Sequence, residues 1–395
     1  MIVRRTVFHA HAAIENLGDR LVVEAVRETL RAALPDHTLV FEDASPAAES
    51  LRHRVRAPLA REARRAIESA DLALLGGGEL IGPFREYLGV GLVAAAAGVP
   101  AVWLGVGGAV AGGRTDRVYT RFVLRCAEAV VTRGPHSFER LRAEVPDARL
   151  HEGVDVAFGW TPPDDADDPP ADAFGICLRG PERRDRLWDG AAFVRLARQI
   201  DAIAARGLRP VFLTFLSARD ATRIGSPNLD ESFHSDAEVH AFVRKHMRSE
   251  GAEELVVEGD LTGTVRRLRT LRFLIGMRLH SLVLATQCGV PFLALDYAPK
   301  IAELTDVLGC GEWRVRPEEV DTRMPALAAR LCLPAELAAR AAALRSACET
   351  LRARALAQLA SVIAALDVQR TPARRRTRRT GAVLLQHVAA LHARL

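Results

Sequence analysis

The stretch Leu271-Arg272-Phe273-Leu274-Ile275-Gly276-Met277-Arg278-Leu279-His280-Ser281, continued through Gly289-Val290-Pro291 and Phe292-Leu293-Ala294-Leu295-Asp296-Tyr297-Ala298-Pro299-Lys300, decides how the chain is read. Residues 271–275 are an apolar run of strand length. Gly276 lets the chain turn, and 282–288 predict a short apolar helix that Gly289 and Pro291 stop. Residues 292–295 predict the next buried strand. The whole is a βαβ unit. Arg278 and His280 fall at its first turn, and Lys300 follows its second strand. In a parallel sheet both places lie at the carboxyl edge, where ligands bind. One unit therefore brings three groups able to handle an anion.

The same alternation extends outward. Upstream, strands are expected at 174–178, 210–215 and 255–257, with helices at 192–205, 237–247 and 261–268. A polar stretch with Asp220 and a loop over 226–236 interrupt them. Before that, residues 161–170 are acidic and Pro-rich, as a linker would be. The first half repeats the strand-helix rhythm, with strands at 2–8, 38–41, 72–75, 101–106 and 130–132. Two doubly wound α/β domains follow. The expected boundaries are 1–162 for the N-terminal domain, 163–172 for the linker, 173–340 for the C-terminal domain, and 341–395 for C-terminal helices and a basic tail.

Several first-half residues bear on chemistry. Asn16-Leu17-Gly18-Asp19 is a polar turn before an amphipathic helix; it could present backbone N–H groups to a ligand, or Asp19 could simply cap the helix. The strand at 72–75 runs into Gly76-Gly77-Gly78, which suits close backbone approach or close packing. It lacks the spacing of a Walker A loop or a dinucleotide fingerprint. Gly105 to Gly108 follow another strand, so a cleft along one sheet edge is expected. Arg133 stands at a third strand end.

Bulk properties exclude other classes. The chain of 395 residues carries a net charge of +5, much of the excess near its C-terminus, and only 5% aromatic residues. That is poor material for stacking nucleic-acid bases, and no nucleic-acid partner is expected. The six cysteines form no CxxC pair and read as reduced core thiols of a cytosolic protein, with no zinc site. Residues 88–113 are uncharged and long enough to span a bilayer, but Gly98-Val99-Pro100 divides them into a buried helix and a strand. No signal peptide is expected. Residues 370–379 hold six Arg. They are either a solvated tail or a loose attachment to anionic lipid, with the terminal segment in the interface. The expected location is cytoplasmic, with any membrane contact peripheral at the inner face.

The motifs resemble, in order, those of the polysaccharide pyruvyltransferase family. Asn16-x-Gly18-Asp19, Gly76-Gly77-Gly78 with Leu80, Arg133 with Ser137, Asp155-Val156-Ala157-Phe158, Arg278-x-His280-Ser281, Gly289-Val290-Pro291 and Tyr297-x-Pro299-Lys300 carry the likeness. Gly134 stands where the family usually has Asp, and Val156 replaces a Pro. The resemblance implies a GT-B-like pair of Rossmann-like domains. It implies pyruvyl transfer from phosphoenolpyruvate to two hydroxyls of a sugar, glycan or lipid-linked glycan, forming a ketal, with no cofactor and no metal. His280, Arg133 and Lys300 are then the catalytic group. Ser281, Asn16, Gly18, Asp19, Gly76, Gly77, Gly78 and Tyr297 are binding residues, and Arg278 joins them by its proximity to His280, not by the resemblance. Arg, with its planar fork, suits bidentate recognition of the donor's phosphate and carboxylate, and His280 suits proton delivery. A helix N-terminus disfavours imidazolium, so the donor's anionic groups must secure that proton. Arg133 is expected to meet the His280 site across the cleft. The alternatives are a glycosyltransferase using a nucleotide sugar and a non-catalytic sugar-binding relative.

Overall fold

The computed structural model describes residues 6–11, 16–43, 61–82, 85–163, 172–180, 188–216, 235–257 and 260–367. Asp220, most of the loop expected at 226–236, most of the acidic linker, the Arg run and the terminal segment lie outside them. The chain divides into two compact units. The first comprises Met1–Ile14, Val22–Trp160 and Arg352–Leu395; the second comprises Glu15–Leu21 and Thr161–Leu351. This differs from a sequential division. The segment with Asn16, Gly18 and Asp19 belongs to the second unit, and the chain from Arg352 onward belongs to the first.

The first unit holds a six-stranded sheet in the order β2-β1-β3-β4-β5-β6. The strands are β1 Thr6–His11, β2 Thr38–Asp43, β3 Leu72–Ile81, β4 Ala101–Gly108, β5 Ala129–Thr132 and β6 Leu150–His151. Every pairing is parallel. Parallel strands covered on both faces need continuous apolar runs, and β4 is buried along its whole length. Trp103, fully buried, sits in the core beside the helix Arg85–Ala97. The uncharged stretch at 88–113 is thus a helix and a strand. No helix among the described residues is long and apolar enough to cross a membrane.

β3 and β4 do not end before their glycines, as their apolar runs suggest. β3 continues to Ile81 and β4 to Gly108, with the register shifting between Gly78 and Ile81. Gly77 and Gly105 take positive φ, 73° and 62°. Each packs against Val156 of the short 3-10 turn Val156–Gly159. A Cβ at Gly77 would lie 2.0 Å from Val22 Cγ1 and 2.9 Å from Val156 Cγ2; one at Gly105 would lie 2.5 Å from Val156 Cγ1.

The second unit holds β7 Ala173–Cys177, β8 Arg209–Thr214, β9 Glu253–Val256, β10 Leu274–Gly276, β11 Phe292–Leu295 and β12 Arg314–Val315. Their order is β12-β11-β10-β7-β8-β9, again all parallel. Read from β9 this is the 3-2-1-4-5-6 order of a dinucleotide-binding fold, which reverses between β7 and β10. Crevices at that reversal bind ligands at the carboxyl ends of the strands. The helices Met324–Leu331 and Pro334–Ala357 follow. Trp313 is clamped between Arg330 and Arg340, whose guanidinium carbons lie 4.6 and 4.5 Å from its ring centroid.

Candidate active site

Three neighbouring strands of the second unit, β7, β10 and β11, deliver their following residues to the carboxyl edge at the reversal point. β7 delivers Arg179, β10 delivers Arg278 and His280, and β11 delivers Tyr297 and Lys300. The helix after β10 is Leu279–Gln287, so it begins three residues before the expected 282. His280 therefore lies in its first turn, with Arg278 as N-cap. Lys300 likewise lies in the first turn of Pro299–Val307.

Arg278 has a structural partner. Its Nε donates to both carboxylate oxygens of Asp236 at 3.1 Å, and its Nη2 also pairs with that carboxylate. Asp236 is fully buried at the start of the helix Asp236–His246, and its Oδ2 accepts from the backbone N–H of Phe215 at 3.2 Å and of Leu216 at 3.0 Å. The guanidinium expected to bind substrate is held in this pair. Ser281 also has a local partner. It is fully buried and donates its hydroxyl to the Arg278 carbonyl at 2.7 Å, closing the first turn of the helix. Beneath them, burial first and the charge of Asp236 second push the Cys177 thiol up, so it stays protonated.

Arg179 is a residue that the sequence reading passed over. It donates to the Tyr297 hydroxyl at 2.9 Å, with its guanidinium carbon 4.7 Å from the ring centroid. Lys300 Nζ stands 5.3 Å from the same ring centroid. Two cations thus share one buried phenol. Burial by itself pushes the phenol up, but Arg179 and Lys300 together bring it below its ordinary value. The signal for Arg179 is the one that singled out Arg133: an Arg directly after a buried strand. Trp188, also buried, donates its indole N–H to the Asp296 carbonyl at 2.9 Å beside this cluster.

The backbone leading to Arg179 is anchored by a buried relay. The N–H of Leu178 donates to His240 Nε2 at 3.1 Å, and His240 Nδ1 meets Thr214 Oγ1 at 3.1 Å. Thr214 in turn donates to Glu254 at 3.2 Å. Nε2 is thus the accepting ring nitrogen, and Nδ1 faces Thr214. His240, 3.8 Å away, is the main influence holding the Glu254 carboxyl below its ordinary range, against partial burial.

The segment Asn16–Leu21 completes the second unit's share. Asn16 Oδ1 accepts from Gly18 N at 2.9 Å, so Asn16 caps the helix Leu17–Ala33. Asp19, the cap expected from the sequence, lies instead in the first turn, where a negative charge suits the helix dipole. Leu17 is buried and donates to the Phe215 carbonyl at 3.3 Å. The backbone of Gly18 lies directly against the His280 imidazole. The N-termini of the helices bearing Gly18, Asp236, His280 and Lys300 all belong to this unit.

Arg133 belongs to the first unit. It follows β5, is mostly buried, and donates its backbone N–H to Val106 O at 2.9 Å. Its guanidinium lies over Gly107, where an added Cβ would come within 2.5 Å of Cζ, and Nη2 is 3.9 Å from Glu79. Gly134 caps the helix Pro135–Glu144 at φ 174° and ψ 175°, extended backbone open to any residue. Gly76 and Gly77 are buried within β3, and Gly78 is half-buried. Packing thus occupies Gly77, where close backbone access was expected. No cluster of three or more metal-ligating side chains occurs among the described residues. A hollow of about 620 Å³ lined by Asp201, Arg209 and Arg248 opens where β8 begins, at the other end of the sheet. Of the two carboxylates that line it, Asp201 and Glu250, the first is spent on the backbone of Arg248 and Ser249.

The polysaccharide pyruvyl transferase family model matches residues 16–299. No curated protein matches the chain. Solved structures similar in fold include the S. aureus MnaA–UDP co-structure, with a TM-score of 0.53 and 12% identity over 86% of this chain and 91% of that one. The UDP-GlcNAc 2-epimerase from Neisseria meningitidis bound to UDP-GlcNAc has a TM-score of 0.53 and 10% identity over 91% and 100% of the two chains. A UDP-forming trehalose-phosphate synthase from Burkholderia xenovorans has a TM-score of 0.55 and 10% identity over 92% and 99%. At such identities the likeness concerns fold: two Rossmann-like domains of the GT-B-like class.

Proposed function

Because the chain belongs to the polysaccharide pyruvyl transferase family, we propose that it moves the pyruvyl group of phosphoenolpyruvate onto a sugar of a cell-surface polysaccharide or its precursor. The observation that carries this reading is the place of His280 at the end of β10, between β7, which delivers Arg179, and β11, which delivers the Tyr297 that pairs with Arg179 and the Lys300 beside the Tyr297 ring. A three-carbon donor with a phosphate and a carboxylate needs cations beside a proton donor.

His280 protonates the methylene carbon, which becomes a methyl group and leaves an oxocarbenium-like centre at the adjacent carbon. One sugar hydroxyl adds there and gives up its proton, restoring the imidazolium. The carbon–oxygen bond to phosphate then breaks. The second hydroxyl closes the ketal, and its proton leaves with the phosphate. Lys300 and Arg179 stabilise the anionic groups through these steps, and the family resemblance gives Arg133 the same task. The fold likeness to UDP-bound proteins supports a second reading, a transferase using a nucleotide sugar.

The test is incubation with phosphoenolpyruvate and a panel of glycans. Phosphate release, with an acceptor gaining the mass of one pyruvyl ketal, is the expected result. Absence of phosphoenolpyruvate binding by calorimetry, together with thermal stabilisation by UDP-sugars, would favour the second reading.

A further inference from the structure

Gly18 sits in the first turn of a helix, where alanine would be the better helix former. Its φ is outside the left-handed range, so the backbone does not require glycine. The requirement comes from His280. A Cβ at Gly18 would lie 2.2 Å from His280 Nδ1, 2.8 Å from Cγ and 2.9 Å from Cβ, closer than real Cβ atoms come. The imidazole therefore rests on bare backbone.

Both partners are tied to one carboxylate. On one side, Leu17 donates to the Phe215 carbonyl, and the Phe215 N–H donates to Asp236. On the other, Asp236 holds Arg278, which caps the helix of His280. Asn16 fixes the turn itself by accepting from Gly18 N. The height of the floor and the root of the histidine are thus set from a common buried anchor.

We propose that Gly18 is a positioning residue for His280, and that the Asn16-x-Gly18-Asp19 motif serves the histidine's site and not the acceptor sugar. The bare backbone sets the direction in which the imidazole faces. This rests on the reading of His280 as proton donor, but the contact can be tested apart from it. Gly18→Ala is made in the full chain and again in a His280→Ala background. With the histidine present, the change lowers the melting temperature by about 2–4 °C, the shift expected of a single forced contact. In the His280→Ala background the same change is neutral or stabilising, because the ring is gone and helix propensity alone acts. An equal loss in both backgrounds would overturn the proposal.

The second readout is the His280 ring resonance, assigned by its disappearance in His280→Ala. It shifts in Gly18→Ala, and an unmoved resonance would count against the proposal. Phosphoenolpyruvate titrated by calorimetry then binds Gly18→Ala about tenfold more weakly than the native chain. If the native chain fails to bind phosphoenolpyruvate, the functional reading fails, while the melting-temperature cycle still decides the role of Gly18.

Discussion

Arg278 and Asp236 form a largely buried ion pair in which both oxygens of the fully buried carboxylate accept from one Nε at 3.1 Å, while the guanidinium keeps a little exposure. The carboxylate also holds the backbone after β8. Removing one partner leaves the other charge buried and unanswered. Asp236→Ala should therefore cost about 3–5 kcal/mol. Urea unfolding of the full chain measures it. Replacing both residues with apolar side chains should recover part of the loss, and a larger loss in the double variant would refute this account.

Tyr297 should ionise below the usual phenol range, and earlier than an unperturbed tyrosine, because Arg179 and Lys300 outweigh its burial. Ultraviolet titration of the native chain against Tyr297→Phe isolates its signal. Arg179→Met or Lys300→Met should move that ionisation upward. A phenol whose folded value is depressed adds stability as pH rises through that value. The gain is complete above the ordinary phenol range and is lost as pH falls below the folded value.

The relay from Glu254 through Thr214 and His240 ends on the N–H of Leu178, one residue before Arg179. His240→Leu removes the acceptor and leaves that N–H buried, at a cost of about 1–3 kcal/mol. It should also weaken phosphoenolpyruvate binding by loosening Arg179. Glu254 acts with the opposite pH sense to a raised histidine. Its depressed carboxyl contributes above the ordinary glutamate range, and the contribution is lost as pH falls through the folded value. Glu254→Gln should flatten the acid side of the stability profile.

Gly134 replaces an Asp common in the family, yet its extended backbone accepts any residue. An Asp there would cap the helix Pro135–Glu144, which now has no side-chain cap bond. Gly134→Asp should stabilise the chain by a few tenths of a kcal/mol, because glycine is itself a tolerable cap. A clear drop in melting temperature would show that this helix start has been rebuilt around glycine.

The two α/β units were legible because buried parallel strands must be apolar on both faces, and runs such as Phe292–Leu295 can be little else. The placement of His280 and Lys300 just after buried strands was legible because both strands are short apolar runs with clear stops. Asp236 was not. It fell at the edge of a polar stretch, and nothing local distinguishes a carboxylate that will be buried on a distant Arg. Arg179 lies 118 residues from Tyr297, and only the adjacency of β7, β10 and β11 brings them together. The path of β3 through its glycines was hidden for a similar reason. The glycines fit a strand only because Val22 and Val156 fill the space beside Gly77.

The indole of Trp188, hydrogen-bonded to the carbonyl that precedes Tyr297, gives this unit a built-in fluorophore. Any ligand that draws Tyr297 and Lys300 toward it tugs on the donor–acceptor pair that sets the indole's polarity. Emission from the unlabelled protein, compared with Trp188→Phe, therefore becomes a direct optical gauge of occupancy, suited to screening donors before any acceptor has been identified.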